Sequence, residues 1–539
     1  MNPQGNEENP RLTALSFLSQ HKERFLRDIQ WDERALSVSD SFPLLGRWPW
    51  GPCYAVAAKD GYALIGNGPL VQVLSLADTG QQTVLGEFLT EALVVDIAIK
   101  DSLAFVTGSQ ILYVFSLARL PSLELVSEFT LPAVAPTRIQ IVDTLLYVLF
   151  YSGGLTIIDV GDPAFPFVRS AVSVTEEAAF ALTVSGCHAF VGSFDSPNLT
   201  TVNVCNADSP YVSSSNFTGI VVSVHTADTL LYLGTIDGTL GVYSITNPNE
   251  PELMIQIPLG SSGNSVISGI SSHSGTVYVS VSKLGVISMS FDSVAYPSML
   301  DTIPYPQAGF SGDKLWVSDE LLLSPQYVGA WTVDVQDSNN MSSRSFFTTS
   351  DGCLKTVVRD GYAYIASGST GLWILDVKNA KDVRELTNLS TGGFAVDVAL
   401  LGDYAVVLNA STGVADTNSG LWVANISDPE RPNIVSHHIG EVMPAAIRNR
   451  ISISDSTAYI TQVGGVGGGH IEVVDLREPV MPYTRSVLQV DWWPYDVVAE
   501  NDLVFVASPD SGIRILDASN PDSLLEMSSA SSLAMAVLI

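Results

Sequence analysis

Seven histidines are the side chains of this sequence best suited to acid–base or metal chemistry, but their spacing favours neither. None occupies a position that recurs along the chain, and they are His21, His188, His225, His273, His437, His438 and His470. A metal centre needs several ligands that converge on one point. In an extended segment, the adjacent side chains of His437 and His438 point to opposite faces. We therefore expect structural or surface roles for the histidines.

Other motifs with catalytic potential are fragments. The stretch GGVGGGH from Gly464 lacks the GxGxxG spacing and a following Lys-Ser/Thr pair, so it predicts a flexible hairpin tip rather than a phosphate loop. No GxSxG nucleophile elbow is present. Asp416 and Asn418 place oxygen ligands at alternate positions, as in part of a calcium loop, but the rest of that pattern is missing. We predict no enzyme activity and no cofactor, with calcium as the alternative.

Two aromatic clusters are candidate binding residues. Trp48 and Trp50 lie in RWPWGP, and Trp492, Trp493 and Tyr495 lie in DWWPYD. Exposed on loops, such rings would stack on sugars or anchor a protein partner. The alternative is that they pack between structural units, as large aromatic side chains usually do.

The four cysteines do not form a zinc motif, because no CxxC pair exists. Cys187 opens one predicted strand and Cys205 closes the next, so the two face each other in an antiparallel hairpin. They are a possible disulfide, which would indicate an oxidising compartment. Two buried free thiols are the alternative.

The elements that must position these residues are strands in a long repeat. VVRDGYAYIASGSTGLWILDV from Val357 closely resembles VAAKDGYALIGNGPLVQVLSL from Val56. Each repeat has four alternating apolar segments separated by turn residues, and its period is roughly 44 residues. The third segment is the clearest marker and occurs eleven times, starting at Leu70, Ile111, Gly154, Leu199, Leu240, Leu284, Gly329, Gly371, Gly420, His470 and Gly512.

Four antiparallel strands in each repeat predict an all-β fold of tandem β-propellers with about eleven blades. A single propeller rarely exceeds eight blades, so we expect two. The first covers residues 39–309 with about six blades, and the second covers 310–539 with five or six. Residues 1–38 form an N-terminal extension, in which the spacing of Leu15, Leu18, Phe25, Leu26 and Ile29 predicts a short helix.

The third strands GLWILDV and GLTIIDV, with the DGYAYIA strand before the first of them, resemble the LVIVD-repeat β-propeller family. The resemblance covers residues 40–539. It implies a propeller, often on the cell surface or secreted, in a family many of whose members are uncharacterised. No signal peptide is visible in the first 30 residues, so a cytoplasmic location is the alternative.

Two consecutive repeats extend the hairpin between their second and third strands, over residues 409–420 and 462–470. These hairpins leave the same face of a propeller, and loops on a rigid scaffold are where binding concentrates. The second hairpin ends at His470. We therefore predict a non-catalytic scaffold for adhesion or binding that recognises a protein or polysaccharide partner on this face. A polysaccharide hydrolase or lyase and an intracellular interaction platform are the alternatives.

Charge limits the range of partners further. The chain carries 25 Lys and Arg against 56 Asp and Glu, for a net charge of −31. Nucleic acid is not an expected partner, because no basic surface is available to replace its counterions. Direct membrane insertion is not expected either, because no apolar run approaches the ~20 residues needed to span a bilayer.

Overall fold

The structure is a computed structural model that describes residues 51–530, except 78–82, 176–177, 195–197, 216–218, 261–264, 295, 307–313, 327–328, 350–351, 380–382, 411–416, 441–448, 464–467 and 510. All regular elements in this part of the chain are β-strands. The predicted N-terminal helix and the aromatic pair Trp48 and Trp50 lie outside the described residues.

The 44 strands form eleven sheets of four antiparallel strands, each in chain order. Every third segment marked in the sequence is the third strand of a sheet, which confirms the repeat. Sheets 1 to 3 contain, in turn, β1 Val56–Lys59, β2 Tyr62–Asn67, β3 Leu70–Ser75 and β4 Val84–Leu89; β5 Asp96–Lys100, β6 Leu103–Gly108, β7 Ile111–Ser116 and β8 Glu124–Thr130; and β9 Pro136–Val142, β10 Leu145–Phe150, β11 Gly154–Asp159 and β12 Phe167–Ser173. Sheets 4 and 5 contain, in turn, β13 Ala179–Ser185, β14 His188–Ser193, β15 Leu199–Asn203 and β16 Tyr211–Ser215; and β17 Val221–Ala227, β18 Leu230–Thr235, β19 Thr239–Ser244 and β20 Glu252–Pro258. Sheets 6 and 7 contain, in turn, β21 Ile267–His273, β22 Thr276–Val281, β23 Gly285–Ser290 and β24 Ser298–Ile303; and β25 Trp316–Val317, β26 Leu321–Gln326, β27 Gly329–Asp334 and β28 Ser342–Thr348.

Sheets 8 to 11 follow the same plan. They contain β29 Lys355–Arg359, β30 Tyr362–Ala366, β31 Leu372–Asp376, β32 Arg384–Leu389; β33 Phe394–Leu401, β34 Tyr404–Ala410, β35 Gly420–Asn425, β36 Asn433–His438; β37 Arg450–Ser454, β38 Thr457–Val463, β39 Gly469–Asp475, β40 Tyr483–Val490; β41 Asp496–Glu500, β42 Leu503–Ser508, β43 Gly512–Asp517 and β44 Leu525–Ala530.

Turn chemistry explains the tight hairpins between first and second strands. Asp60 and Gly61 have φ angles of 51° and 81°, and Asp360 and Gly361 have 53° and 79°. A two-residue hairpin turn with two positive φ angles favours Asp-Gly, because aspartate tolerates the left-handed region and glycine adopts it freely. The repeated DGY motif thus fixes the register of β1 with β2 and of β29 with β30.

A register shift interrupts the pairing of the third and fourth strands in all eleven sheets, for example between Val73 and Leu74 and between Ile374 and Leu375. A bulge bends a strand and increases its twist. The pairing of the fourth strand with the third is therefore bent at an equivalent point in every sheet.

The chain divides into two compact units, one over Pro49–Ser350 and one that contains Asp351–Ile539. We call them the 49–350 unit and the 351–539 unit. Sheets 1 to 7 lie in the first and sheets 8 to 11 in the second. The expected boundary between residues 309 and 310 would instead separate sheet 7 from sheets 1 to 6.

Packing explains why sheet 7 groups with sheets 1 to 6. Consecutive sheets of the 49–350 unit share apolar clusters, and Tyr278 of sheet 6 packs in one cluster with Trp331 of sheet 7. Sheet 7 also packs on sheet 1, where Leu323 and Phe347 share a cluster with Val56 and Ile65. In the 351–539 unit, three clusters join sheets 8 to 9, 9 to 10 and 10 to 11.

Serine hydroxyls join neighbouring sheets at a recurring place. Ser127 Oγ donates to the Pro163 carbonyl at 2.6 Å, Ser436 Oγ to the Pro479 carbonyl at 2.6 Å, and Ser486 Oγ to the Pro521 carbonyl at 2.7 Å. Each carbonyl belongs to the turn between the third and fourth strands of the next sheet. We call these contacts the serine latches.

Candidate binding face on the 351–539 unit

Both predicted binding hairpins belong to the 351–539 unit, between β34 and β35 and between β38 and β39. Residues 411–416, which include the calcium candidate Asp416, lie outside the described part of the chain, and so do residues 464–467. Asn418 is exposed at the end of the first hairpin. Its backbone carbonyl accepts hydrogen bonds from Asn409 Nδ2 at 3.0 Å and from Trp422 Nε1 at 2.9 Å.

An aromatic stack lies directly beside this hairpin. The rings of Trp422 and His437 are paired across β35 and β36, with centroids 4.1 Å apart and planes inclined by 17°. His437 Nε2 is 2.8 Å from the Ser419 carbonyl. Both side chains are half-buried. The hairpin end and the stack therefore hold each other in place, and we call Asn418, Trp422 and His437 the stack site.

Sequence reasoning did not single out Trp422. The signal was its position two residues after Gly420, next to an extended hairpin and opposite a histidine on the neighbouring strand. Those relations follow from strand register, which becomes visible only when β35 and β36 are paired.

A buried polar network lies in the neighbouring sheet. Glu472 is 1% exposed, and its carboxylate accepts hydrogen bonds from Gln462 Nε2 at 3.0 Å and from Thr484 Oγ1 at 2.6 Å. His438 Nε2 lies 2.9 Å from Thr484 Oγ1 and 4.0 Å from Glu472 Oε1. Because the carboxylate is satisfied by neighbouring protein groups, the network joins sheet 9 to sheet 10 and does not present a carboxylate to solvent.

The second aromatic cluster contains one buried ring and two half-buried ones. Trp492 is 4% exposed in the cluster between sheets 10 and 11, and the Arg514 guanidinium lies over its ring at 5.4 Å. The packing alternative therefore describes Trp492. Trp493 and Tyr495 are half-buried, and Tyr495 donates its backbone N–H to the Ala507 carbonyl at 2.8 Å.

His470 stands in β39 opposite Gln462 and Gln489. The side chain is half-buried, and its Nδ1 atom is buried without a hydrogen-bond partner. No cluster of three or more His, Cys, Asp or Glu side chains that would hold a metal occurs among the described residues. No helix in that part of the chain has the length and apolarity to cross a membrane.

Cys187 and Cys205 form a disulfide in sheet 4, with sulfur atoms 2.09 Å apart and a sequence separation of 18. Cys53 is buried and Cys353 is exposed, and neither is in a disulfide. Burial raises the pKa of Cys53 to about 12, against a backbone hydrogen bond with Ala55 that lowers it. Cys53 is therefore an unreactive core residue.

Sequence reasoning also did not single out two buried aspartates in first strands of sheets. Asp96 in β5 is 2% exposed and Asp397 in β33 is 1% exposed. Each stands in an otherwise apolar run, VVDIAI or AVDVAL, and that exception was the available signal. A carboxylate is buried only when it has partners, so these positions require specific contacts.

Comparisons with known proteins identify repeats in both units. The family model described as the LVIVD repeat matches residues 137–173, 355–388, 392–438 and 495–531, which correspond to sheets 3, 8, 9 and 11. No curated protein matches the chain.

Two similar solved structures are distant in sequence. The computationally designed Ika8 protein is 10% identical with a TM-score of 0.38, over 69% of this chain and 99% of that chain. Sqt1 of Saccharomyces cerevisiae is 11% identical with a TM-score of 0.42, over 61% of this chain and 97% of that chain. Neither similarity adds to what the sheets themselves establish. The four family-model matches confirm the resemblance seen in the third strands, and the chain is built in part from LVIVD repeats.

Proposed function

We propose that the chain is a non-catalytic binding scaffold that holds a polysaccharide at the stack site of the 351–539 unit. The observation that carries the proposal is the Trp422–His437 stack, fixed to the end of an extended hairpin by hydrogen bonds to Asn418 and Ser419. An aromatic ring held rigidly beside amide groups combines a stacking surface with hydrogen bonding, which suits sugar rings. Further candidate contacts in the same unit are Trp493 and Tyr495, from the connection before β41, and His470, from β39.

The test compares the intact protein with Trp422→Ala and with a matched control. Phe165→Ala removes an aromatic side chain that is 76% exposed on the 49–350 unit and is not part of the stack site. We expect both intact protein and control to bind one member of a panel of cell-surface polysaccharides, and Trp422→Ala to bind it at least tenfold more weakly. Equal binding by all three would contradict the stack site. Binding to envelope proteins alone would favour a protein partner, and turnover of the saccharide would favour a hydrolase or lyase.

The scaffold itself is proposed to include a closed seven-bladed propeller over sheets 1 to 7. The shared cluster of sheet 7 with sheet 1 supports closure, because the last sheet packs on the first as each sheet packs on the next. Closure leaves no sheet face open in the ring. The Lys314–Asp96 contact, which joins the start of sheet 7 to sheet 2, supports the same arrangement.

The proposed location is the cell surface or the extracellular space. The Cys187–Cys205 disulfide supports it, because such bonds persist in oxidising compartments. Alkylation of thiols in freshly lysed source cells, followed by mass spectrometry of the peptides that contain Cys187 and Cys205, tests the location. Reduced cysteines would favour the cytoplasmic interaction platform.

A further inference from the structure

The two units repeat one side-chain arrangement at first strands of their sheets. In the 49–350 unit, Asp96 Oδ1 accepts the Ile97 N–H at 2.8 Å and Oδ2 accepts the Ile139 N–H of the next sheet at 2.9 Å. In the 351–539 unit, Asp397 Oδ1 accepts the Val398 N–H at 2.8 Å and Oδ2 accepts the Ile451 N–H of the next sheet at 3.1 Å. The residues before Ile139 and Ile451 are both arginines, Arg138 and Arg450. We call the two arrangements the Asp96 socket and the Asp397 socket.

The Asp96 socket holds an ammonium group. Lys314 Nζ lies 3.0 Å from Asp96 Oδ1 and 3.3 Å from Oδ2, and 3.4 Å and 3.5 Å from the carbonyl oxygens of Ile97 and Ile139. The socket thus offers one carboxylate and two carbonyls to a charged donor with three N–H bonds. The carboxylate neutralises the charge of a primary ammonium, and the carboxylate and carbonyl oxygens accept hydrogen bonds from its N–H groups.

The same acceptors recur at the Asp397 socket. β33 and β37 are the first strands of their sheets and pair with one neighbouring strand each, so the other edge of each strand carries no ladder, apart from the isolated bridge between Ala395 of β33 and Gly368. In an antiparallel strand the N–H and C=O of one residue point to the same edge. Because the N–H groups of Val398 and Ile451 point to Asp397, their carbonyls also lie on the unpaired edges, as those of Ile97 and Ile139 do.

The two sockets differ in their cation. Among the described residues, no lysine, arginine or histidine forms an ion pair with Asp397, whereas Lys314 fills the Asp96 socket. Lys355 in β29 and Arg450 in β37 act on Asp397 through space only, and Arg450 Nη1 donates instead to the Asn449 carbonyl at 3.0 Å. A buried carboxylate with free acceptor capacity and no counter-ion is costly, and a cation relieves that cost.

We infer that Asp397, together with the carbonyls of Val398 and Ile451, forms a binding site for a primary ammonium group. The group comes either from a small amine or from a lysine side chain of a partner protein. The template is the Asp96 socket, where the chain supplies the ammonium itself. This inference is independent of the stack site, since it uses different residues and a ligand of different chemistry.

The pH dependence of binding follows from the same residues. Burial raises the pKa of Asp397 to about 6, although Lys355, the Ile451 N–H, Arg450 and the Val398 N–H all act to lower it. Ammonium binds the ionised carboxylate, so binding should strengthen as the pH rises from 5 to 7. Lys355 repels the ligand, and Lys355→Met should therefore tighten binding a few-fold.

The experiment is calorimetric titration of the whole protein with n-butylammonium, with tetramethylammonium as a cation that has no N–H donor. We expect saturable binding of n-butylammonium to the wild type at pH 7, at least tenfold weaker binding at pH 5, and none of tetramethylammonium. Asp397→Asn should lose the binding. A peptide with a single lysine is the second ligand, and tighter binding than n-butylammonium would assign the ammonium to a partner protein rather than a small amine.

A second variant keeps the test decisive if Asp397→Asn fails to fold. Lys314→Ala empties the Asp96 socket, and n-butylammonium should raise its melting temperature by refilling that socket. Rescue of Lys314→Ala without any binding to the wild type would overturn the proposal, because the assay would then detect a socket of this kind and find the Asp397 socket inactive. Equal binding of both cations to the wild type would overturn it as well.

Discussion

Lys314 Nζ lies 3.0 Å from Asp96 Oδ1, although 218 residues separate the two in sequence. Lys314 stands just before β25 of sheet 7, and Asp96 begins β5 of sheet 2. The ion pair therefore ties the last sheet of the 49–350 unit to sheets at its beginning, in addition to the apolar contact of sheet 7 with sheet 1.

Lys314→Met should destabilise the protein by about 2 kcal/mol, because it leaves the Asp96 carboxylate buried without its counter-ion. Solvent partly screens this pair, since Lys314 is 36% exposed, and the cost is therefore smaller than for a fully buried pair. Lys59→Met is the matched control, because Lys59 pairs with the largely exposed Asp60 on the same unit and should cost less than about 0.5 kcal/mol. Urea unfolding followed by tryptophan fluorescence measures both, and equal losses would show that the Lys314 pair does not stabilise the unit.

The sequence predicted the local structure of this fold well, because the signals are local. The eleven third strands follow from apolar alternation, and the DGY hairpins follow from the φ preferences of Asp and Gly. The Lys314–Asp96 pair and the packing of sheet 7 on sheet 1 join distant parts of the chain. The alternation of apolar and polar residues predicts which face of a strand is buried, but it does not predict which sheet covers that face. The expected boundary at residue 309 rested on the weak repeat pattern around β25.

The candidate site was predicted less completely. The two long hairpins were identified from their length, but Trp422 was missed since its stack depends on the register of β35 with β36. Trp492 was selected as an aromatic near a loop, and the structure packs it beneath Arg514. The sequence predicts the type of a residue and the approximate strand or loop that contains it. The exposure of its side chain depends on how the next sheet packs against it.

The native protein should expose one reactive thiol. Cys353 is exposed and should react with a thiol reagent at neutral pH, while burial and a pKa of about 12 protect Cys53. Denaturant should release a second thiol, and a reductant in denaturant should release all four cysteines. Titration with Ellman's reagent under the three conditions gives the counts. Three or more thiols in denaturant without reductant would contradict the disulfide.

Loss of the disulfide should lower stability. A bond that closes a loop of about 18 residues stabilises by roughly 3 kcal/mol in the chain-entropy description. The double variant Cys187→Ser, Cys205→Ser should therefore unfold at a clearly lower urea concentration than the wild type. Cys353→Ser is the control, because Cys353 is not in a disulfide, and its midpoint should match that of the wild type. An unchanged midpoint in the double variant would mean that the bond does not constrain the unfolded chain.

The serine latches should each contribute about 1 kcal/mol, the usual net value of a hydrogen bond between partly buried groups. Ser436→Ala leaves the Pro479 carbonyl without its donor, and Ser486→Ala does the same to Pro521. Their effects should add, because the two latches join different pairs of sheets and share no partner. Ser427→Ala is the control, since that hydroxyl bonds only to Asn425 on an exposed turn. Melting temperatures of the single and double variants decide the matter, and a double variant no worse than either single one would contradict independent latches.

His225 should make the protein sensitive to mild acid. Burial lowers the pKa of His225 from 6.5 to about 4, and its Nε2 lies 2.8 Å from Ser272 Oγ of the next sheet. Below pH 6.5 His225 becomes protonated in the unfolded chain, whereas in the folded protein it stays neutral until the pH falls to about 4. The stabilising effect of neutral His225 is therefore complete above pH 6.5 and is lost as the pH falls through this range.

His225→Gln keeps a hydrogen-bonding group opposite Ser272 but does not titrate. Between pH 7 and pH 4 the wild type should lose about 2 kcal/mol more stability than this variant. Urea unfolding at half-unit pH intervals measures the difference. The two curves should run parallel above pH 6.5 and diverge below it. Parallel curves down to pH 4 would show that His225 accepts its proton equally well in the folded and unfolded states, which is incompatible with its burial between sheets 5 and 6.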